Sequence, residues 1–326
     1  MRVFLTGGAG YIGGATAEAL LAAGHGVTVY DNLSRGHRSA VPPGAEFVHG
    51  DIGDRDALNS VLSASSFDVV FHFAALIEAG ESMEKPELYF RNNVSYSHNL
   101  IEAALQTGCR HFVLSSTAAV YASSDQPLHE DSALGPVNAY GETKLMIERM
   151  LYWYHQVHGM RYAVLRYFNA CGALPGRGES HRPETHLIPR VMQVALGQRE
   201  YIELYGSDYS TPDGSCIRDY IHIADLTEAH LLAAASLEQR ETAVYNVGTG
   251  SGYSNREIIA MARKVTGHAV PVHPAPRRVG DAARLVAGSQ KIRHELGWTA
   301  QHSALENILT TAWEWHRNHQ CGYDSD

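Results

Sequence analysis

Two rhythms of apolar residues alternate through the first half of the chain. One consists of short runs, Val3–Thr6, Val27–Tyr30, Glu46–Val48, Val69–Phe73, Phe112–Ser115 and Ala163–Tyr167, several of them apolar on both faces. Runs of that kind belong to strands covered on both sides, which is how parallel sheets are buried. The other rhythm spaces apolar residues by three and four, as in Ala15–Ala23 and Val94–Gln106, and predicts helices, with Gly24 and Gly108 as their C-terminal stops. Strand and helix in alternation predict an α/β fold, a doubly wound parallel sheet with right-handed crossovers.

Past about residue 170 this alternation breaks. Segments 172–185 (GALPGRGESHRPET) and 266–281 (TGHAVPVHPAPRRVGD) are rich in Gly, Pro, Arg and His and read as long loops. Ser254 and Glu257 form a capping-box pattern ahead of Ile258, Ile259 and Met261, which fixes the start of one helix. The expected division is a first unit over 1–170 and a smaller mixed α/β unit over 171–326, with part of 215–250 returning to the first sheet.

Composition narrows the classes of function. A chain of 326 residues has room for roughly two domains of ~150 residues. With 44% hydrophobic and 19% charged residues and no biased tract, it reads as globular. The formal charge of -9 excludes a general affinity for nucleic acid, which needs a basic face. Cys109, Cys171, Cys216 and Cys321 are too scattered for a disulfide scaffold and include no CxxC pair, so a reducing, cytoplasmic setting is expected. The 19 histidines show no HxxxH or HExxH spacing and are expected in the core and on the surface, with no metal site. The opening MRVFLTGGAG reads as a strand and not a secretory segment, and no run of ~18 apolar residues predicts a membrane span.

Directly after the first strand comes Gly7-Gly8-Ala9-Gly10-Tyr11-Ile12-Gly13, followed by a helical pattern. Glycines at this spacing let backbone N–H groups approach a pyrophosphate, which then rests at the positive end of the helix. Asp31 closes the second strand 18 residues past Gly13, where an acid accepts the adenosine ribose hydroxyls and repels a 2′-phosphate. The context is that of a dinucleotide-binding Rossmann sheet that takes NAD. Asp51 and Ile52 follow the third strand, where a carboxylate and an apolar wall suit adenine; a helix cap before Asp54 is the competing reading.

The stretch NAYGETK sets Tyr140 and Lys144 four positions apart, hence neighbours on one helix face. Bringing a phenol of pKa ~10 to neutral pH needs ~4 kcal/mol of preferential stabilisation of the phenolate. A close ammonium and an oxidised nicotinamide ring can supply it together, so Tyr140 is a candidate base for a sugar hydroxyl. The fifth strand ends in Ser115-Ser116-Thr117, and ligands in such sheets bind at the carboxyl ends of strands. Thr117 is therefore the candidate hydrogen-bonding partner of the reacting oxygen.

With these residues in place the chain resembles the extended short-chain dehydrogenase/reductases, and within them the UDP-glucose 4-epimerases of galactose metabolism. The resemblance runs nearly end to end, through TGGAGYIGG (6–14), DNLS (31–34), GDI (50–52), HFAA (72–75), GESMEKPELYFRNNV (80–94), SSTAAVY (115–121), YGETK (140–144), LRYFNACGA (165–173), PETHLIPRV (183–191), YGSDYSTPDG (205–214), IRDYIH (217–222) and YNVGTG (245–250). It implies an isomerase with a bound NAD that is used and regenerated in each turnover. Tyr140 is then the base, Lys144 the residue that binds nicotinamide ribose and tunes the phenol, and Thr117 the hydroxyl beside O4. Gly7, Gly10, Tyr11, Ile12, Gly13, Asp31, Asn32, Asp51, Ile52, Phe73, Ala74, Ala75, Asn92, Tyr167 and Phe168 fall where the family touches NAD. Asn169, His186, Leu187, Tyr205, Arg218, Tyr220, Arg278 and Asp281 match positions that hold the UDP-hexose. His186 stands where part of the family has asparagine, and Ile77 where some members have a lysine near the NAD pyrophosphate. Leu285 falls near the position that limits the C2 substituent of the sugar.

The resemblance also implies a homodimer joined through helices over about 88–107 and 140–157. Leu100, Ile101, Leu105, Leu145, Met150 and Leu151 suit such a face, and core packing explains them equally well. Rival readings are defined by what is missing. Nucleotide-sugar 4,6-dehydratases follow the active threonine with an Asp-Glu pair, and here Ala118-Ala119 stand in those places. A UDP-sugar decarboxylase, an epimerase for UDP-GlcNAc, UDP-glucuronate or a UDP-pentose, and a non-catalytic NAD-binding protein are the remaining alternatives.

Overall fold

The first six strands lie where the apolar runs stand. The computed structural model describes residues 1–278 and 281–323 and opens with β1 (Arg2–Thr6), α1 (Tyr11–Ala22), β2 (Gly26–Asp31), β3 (Glu46–His49), α2 (Arg55–Ser63) and β4 (Val69–His72). Two short helices, α3 (Ala79–Glu84) and α4 (Pro86–Tyr89), lead through a wide π-turn at Phe90–Ser95 into α5 (Tyr96–Gln106), then β5 (His111–Thr117), α6 (Ala139–His158) and β6 (Arg161–Tyr167). Gly24 and Gly108 do end their segments, at φ 81° and 82°. The helix expected over Val94–Gln106 begins earlier and less regularly, because Phe90–Ser95 is wound as a π-turn, a device common at functional sites.

The remainder comprises β7 (Asn169–Cys171), α7 (Leu187–Ala195), β8 (Ile202–Tyr205), β9 (Ile217–His222), α8 (Ile223–Ser236), β10 (Thr242–Val247), β11 (Gly252–Ser254), α9 (Asn255–Thr266), β12 (Val272–Ala275), β13 (Arg284–Leu285), α10 (Gln290–Leu296) and α11 (Leu305–Asn318). The large sheet has seven parallel strands in the order β10-β6-β5-β4-β1-β2-β3. Its order reverses between β1 and β4, which opens a crevice at the carboxyl ends of those strands. Ile223–Val247 thus returns the chain to this sheet: α8 packs on α1, and Thr242–Val247 pairs with Tyr162–Tyr167. One face is covered by α1 and α8 through Ala15, Leu20, Leu226 and Ala233, the other by α2, α5 and α6 through Leu58, Leu100 and Ile147.

A second sheet gathers β11, β9 and β13, with β7 also pairing β9, while β12 and β8 form a two-stranded ribbon. A separate core of Ile188, Val191, Ile258, Ile308 and Trp313 holds α7, α9 and α11 together. Segment 172–185 runs without a helix or ladder strand, as expected. The expectation of an unbroken loop over 266–281 is corrected: Val272–Ala275 is a strand paired with Ile202–Tyr205, and positions 279–280 fall outside the described residues. His273 and Pro274 are exposed, so this two-stranded pairing needs no alternating apolar face and left none in the sequence. The capping box at Ser254 and Glu257 is present, with both reciprocal bonds made.

Candidate active site

A cleft of about 490 Å³ runs along the carboxyl ends of the large sheet and under the loops of the second half. The glycine turn forms its floor. Gly7 has φ 77°, and a Cβ there would stand 2.5 Å from Ala74 N, so only glycine lets the turn after β1 lie against the chain leaving β4. The N-cap of α1, Gly10, has no side chain to cap the helix, so the amides of its first turn face the cleft beside Tyr11, Ile12 and Gly13. Uncapped amides at a helix start fit a pyrophosphate, and that is the test an NAD site has to meet here.

Asp31 is buried and accepts Ala9 N at 3.0 Å and Leu33 N at 2.9 Å, one on each oxygen. Burial pushes its carboxyl upward while these amides pull it down, and each oxygen keeps a lone pair for a ribose hydroxyl. Asp51 accepts Asn32 Nδ2 at 2.8 Å and Gly53 N at 2.7 Å and lines the cleft with Ile52, whereas Asp54 is the residue that caps α2. Phe73, Ala74, Ala75, Ile77, Asn92, Tyr167 and Phe168 also line the cleft. Sequence reasoning missed Asn93, which is fully buried. Its side chain bonds both backbone groups of Leu76 at 2.9 Å and Thr143 Oγ1 at 3.1 Å, tying the chain after β4 to α6.

Asn138 caps α6 by accepting Gly141 N at 2.8 Å, which puts Tyr140 in the first turn of that helix. Gly141 carries no Cβ because one would stand 2.3 Å from Ala119 O, and this close approach lets Tyr140 reach the end of β5. There its phenol comes beside the Thr117 side chain, whose hydroxyl accepts Ala119 N at 3.1 Å. Thr117 and Tyr140 line the cleft; Lys144, one turn further, does not. Lys144 is 1% exposed and donates to Ser115 O at 2.8 Å.

The electrostatics of this pair differ from the expectation. In the protein alone, burial pushes the Tyr140 phenol up to about 12, opposed by the Thr117 bond and reinforced by Glu78, with no lowering from Lys144. Burial also pushes Lys144 down to about 8, against the attraction of Glu148. Burial outweighs the opposing contact, so the chain by itself keeps Tyr140 neutral at pH 7. A further positive charge in the cleft is needed to ionise it.

On the opposite side lie the residues expected to hold a nucleotide sugar. Asn169, His186, Leu187, Arg218, Tyr220, Arg278 and Asp281 line the cleft, and so does Asn255, which sequence reasoning missed. Tyr205 lies behind Arg278, whose guanidinium stands 3.9 Å over its ring, and donates its hydroxyl to Glu203. Arg218 NH1 is committed to the carbonyls of Ile217 and Ala282, while NH2 reaches Asp281 at 3.3 Å. Leu285 also lies off the cleft and packs with the cluster of Ala118, Leu145 and Phe168 that backs it.

The histidines are not all scattered. Glu179, His181, Glu184 and His186, all in or next to the 172–185 loop, turn one donor atom each toward a common point, within 4.8 Å of one another. Despite burial, which acts the other way, their mutual contacts push His181 up to about 9, His186 further up, and both carboxyls down. His186 Nδ1 therefore faces Glu179 at 2.8 Å, and the residue stands in the cleft wall as part of this cluster.

Leu100, Ile101, Leu145 and Leu151 are buried within the subunit, so of the two readings core packing accounts for them. The exposed apolar residues of α6 are instead Tyr152, Trp153 and Val157, beside a shallow groove lined by His98, Met146, Arg149 and Met150. Among the described residues no helix is long and apolar enough to cross a membrane.

Comparison with known proteins agrees with this geometry. Residues 3–248 match the model of the NAD dependent epimerase/dehydratase family. The chain is 47% identical to a UDP-glucose 4-epimerase of Halalkalibacterium halodurans over 100% of its own length and 98% of the relative's. It superposes with TM-score 0.92 on the crystal structure of UDP-glucose 4-epimerase from Brucella ovis in complex with NAD, at 44% identity over 96% of this chain and 97% of that one. The Bifidobacterium longum UDP-glucose 4-epimerase in complex with NAD+ and UDP gives TM-score 0.93 at 32% identity, over 99% and 100% of the two chains.

Proposed function

Because the chain belongs to the NAD dependent epimerase/dehydratase family, we propose that it is an NAD-dependent isomerase that interconverts UDP-glucose and UDP-galactose by inverting C4 through a transient 4-keto sugar. The observation that carries this reading is that Tyr140 and Thr117 line one cleft together with the glycine turn and with Arg218 and Arg278. NAD bound on the glycine turn would take a hydride from C4, return it to the opposite face of the sugar, and place its positive ring beside the phenol.

Tyr140 removes the proton of the 4-hydroxyl as C4 is oxidised and gives it back as C4 is reduced. Thr117, beside Tyr140 in the cleft lining, holds the reacting oxygen. Lys144 lies one helix turn beneath Tyr140 and is positioned by Ser115 O, where its charge would act on the phenolate only together with that of the bound cofactor. Inversion requires the keto sugar to present its other face, so the ligand must be held firmly at UDP and loosely at the hexose. Arg218 on β9 and Arg278 in the loop after β12 line the cleft where a diphosphate would be clamped. In this division NAD belongs to 1–170 together with α8 and β10, and UDP to the rest of 171–326. Ala118 and Ala119 supply no acid or base for elimination, so the reaction stops at epimerisation. We further place the enzyme in the cytoplasm and infer a homodimer through α5 and α6.

Purified protein supplied with NAD and UDP-glucose should form UDP-galactose, read by product NMR. No conversion in either direction would overturn the proposal.

A further inference from the structure

We propose that Glu179, His181, Glu184 and His186 form a binding site for one divalent transition-metal ion, with zinc the best fit, that clips the loop over 172–186 to the rim of the cleft. Nothing in the epimerisation chemistry requires such a site, and the inference stands independently of that reading.

The geometry decides between a metal site and a set of ion pairs. His181 Nδ1 lies 3.1 Å from Glu179 Oε1 and 3.6 Å from Glu184 Oε2. His186 Nδ1 lies 2.8 Å from the same Glu179 Oε1 and 3.2 Å from Glu184 Oε1. Zinc held at ~2.0–2.1 Å by nitrogen and oxygen sets the edges of its ligand tetrahedron at about 3.3–3.4 Å. The contacts bracket that length, with Glu184 meeting the two imidazoles through different oxygens, and one donor atom from each of the four residues lies within 4.8 Å of the others.

Protons satisfy the same contacts poorly. Each imidazole offers one proton at Nδ1 and faces two carboxylates with it, and both imidazoles crowd a single Glu179 oxygen. His181 Nδ1 is shut off from solvent yet makes no hydrogen bond of acceptable angle. One ion at the centre serves all four donors at once. Two carboxylates and two neutral imidazoles also balance its two charges.

Donor type narrows the ion. Two imidazoles among four ligands disfavour magnesium and calcium, which take six or more oxygens, and a four-coordinate set of imidazole and carboxylate is one that zinc accepts. The loop is held ready for the ion from outside: Trp315 Nε1 donates to Glu179 O at 3.2 Å, Arg35 to Arg182 O at 3.1 Å, and His37 Nε2 bonds Ser180 O at 2.9 Å. Its last ligand, His186, immediately precedes α7, so a bound ion fixes the cleft wall at Leu187.

The test is metal analysis of the full-length, NAD-containing protein. After chelation, gel filtration and re-equilibration with zinc sulfate, the wild type should retain one zinc per chain and gain thermal stability. His181→Gln and Glu184→Gln, checked for fold by circular dichroism and NAD content, should each weaken zinc binding by about a hundredfold or more. Zinc retention equal to the wild type in both variants would overturn the site. X-ray absorption of the zinc-loaded wild type reads the ligands without any variant: two imidazoles and two carboxylates are expected, and a sulfur-containing or all-water shell refutes the assignment.

Discussion

Tyr140 shows how far a single residue can be understood from its neighbours. Burial holds its phenol neutral, near 12, until a cationic ring enters the cleft, so the base is made by the ligand it serves. Tyr140→Phe should keep NAD, since the glycine turn is untouched, and lose about 10²–10⁴-fold in turnover, measured as steady-state UDP-galactose formation. Lys144 gives a pH signature. Its amine titrates near 8 in the folded protein against ~10.4 when unfolded, so the unfolded chain binds more protons between those values. Stability carried by this group should therefore rise from pH 8 to about 10.4, and urea titrations of wild type against Lys144→Met should diverge across that window. Leu285, packed behind Phe168, leaves less room than cysteine or serine would, and we expect UDP-GlcNAc to be used with kcat/KM at least about tenfold below UDP-glucose. Equal efficiencies would remove Leu285 as a limit on the C2 substituent.

At the level of elements, legibility in the sequence depended on whether a function is written along one segment. The glycine turn is local, and Tyr140 and Lys144 share one helix turn, so both could be read from spacing. The Glu–His cluster could not, because its members sit at positions 179, 181, 184 and 186 of an irregular loop whose folding, and not its period, brings them together. Asn93 and Asn255 carry no local mark either, and the motif that holds Tyr205 gives no sign that the Arg278 side chain covers it. Asn93 makes the clearest prediction among them. Replacing it with alanine leaves both backbone groups of Leu76 unpaired, which should cost about 1–3 kcal/mol in urea unfolding and loosen the cleft edge at Ala74 and Ala75. An unchanged midpoint would show that solvent replaces the amide there.

For the whole molecule, the open question of assembly reduces to one face. Trp153 is 63% exposed and Val157 67%, an unusual exposure for residues of that size on a well-packed helix. If α5 and α6 form the subunit contact, Trp153→Glu should halve the mass seen by light scattering while leaving the fold intact. A monomeric wild type would dispose of the dimer altogether. The first six parallel strands were legible because several of them are apolar on both faces, whereas the place of β10 at the sheet edge follows only from the return of the chain through α8.

That return has a consequence during synthesis. The last-formed strand pairs with Arg161–Tyr167 across about 75 intervening residues, which take roughly four to fifteen seconds to translate. Throughout that interval the nascent sheet carries a bare row of amides and carbonyls along Leu165 and its neighbours, open to any passing strand. While still attached to the ribosome, the chain therefore passes through an interval in which that strand can be captured by a sister chain before its own partner has been made.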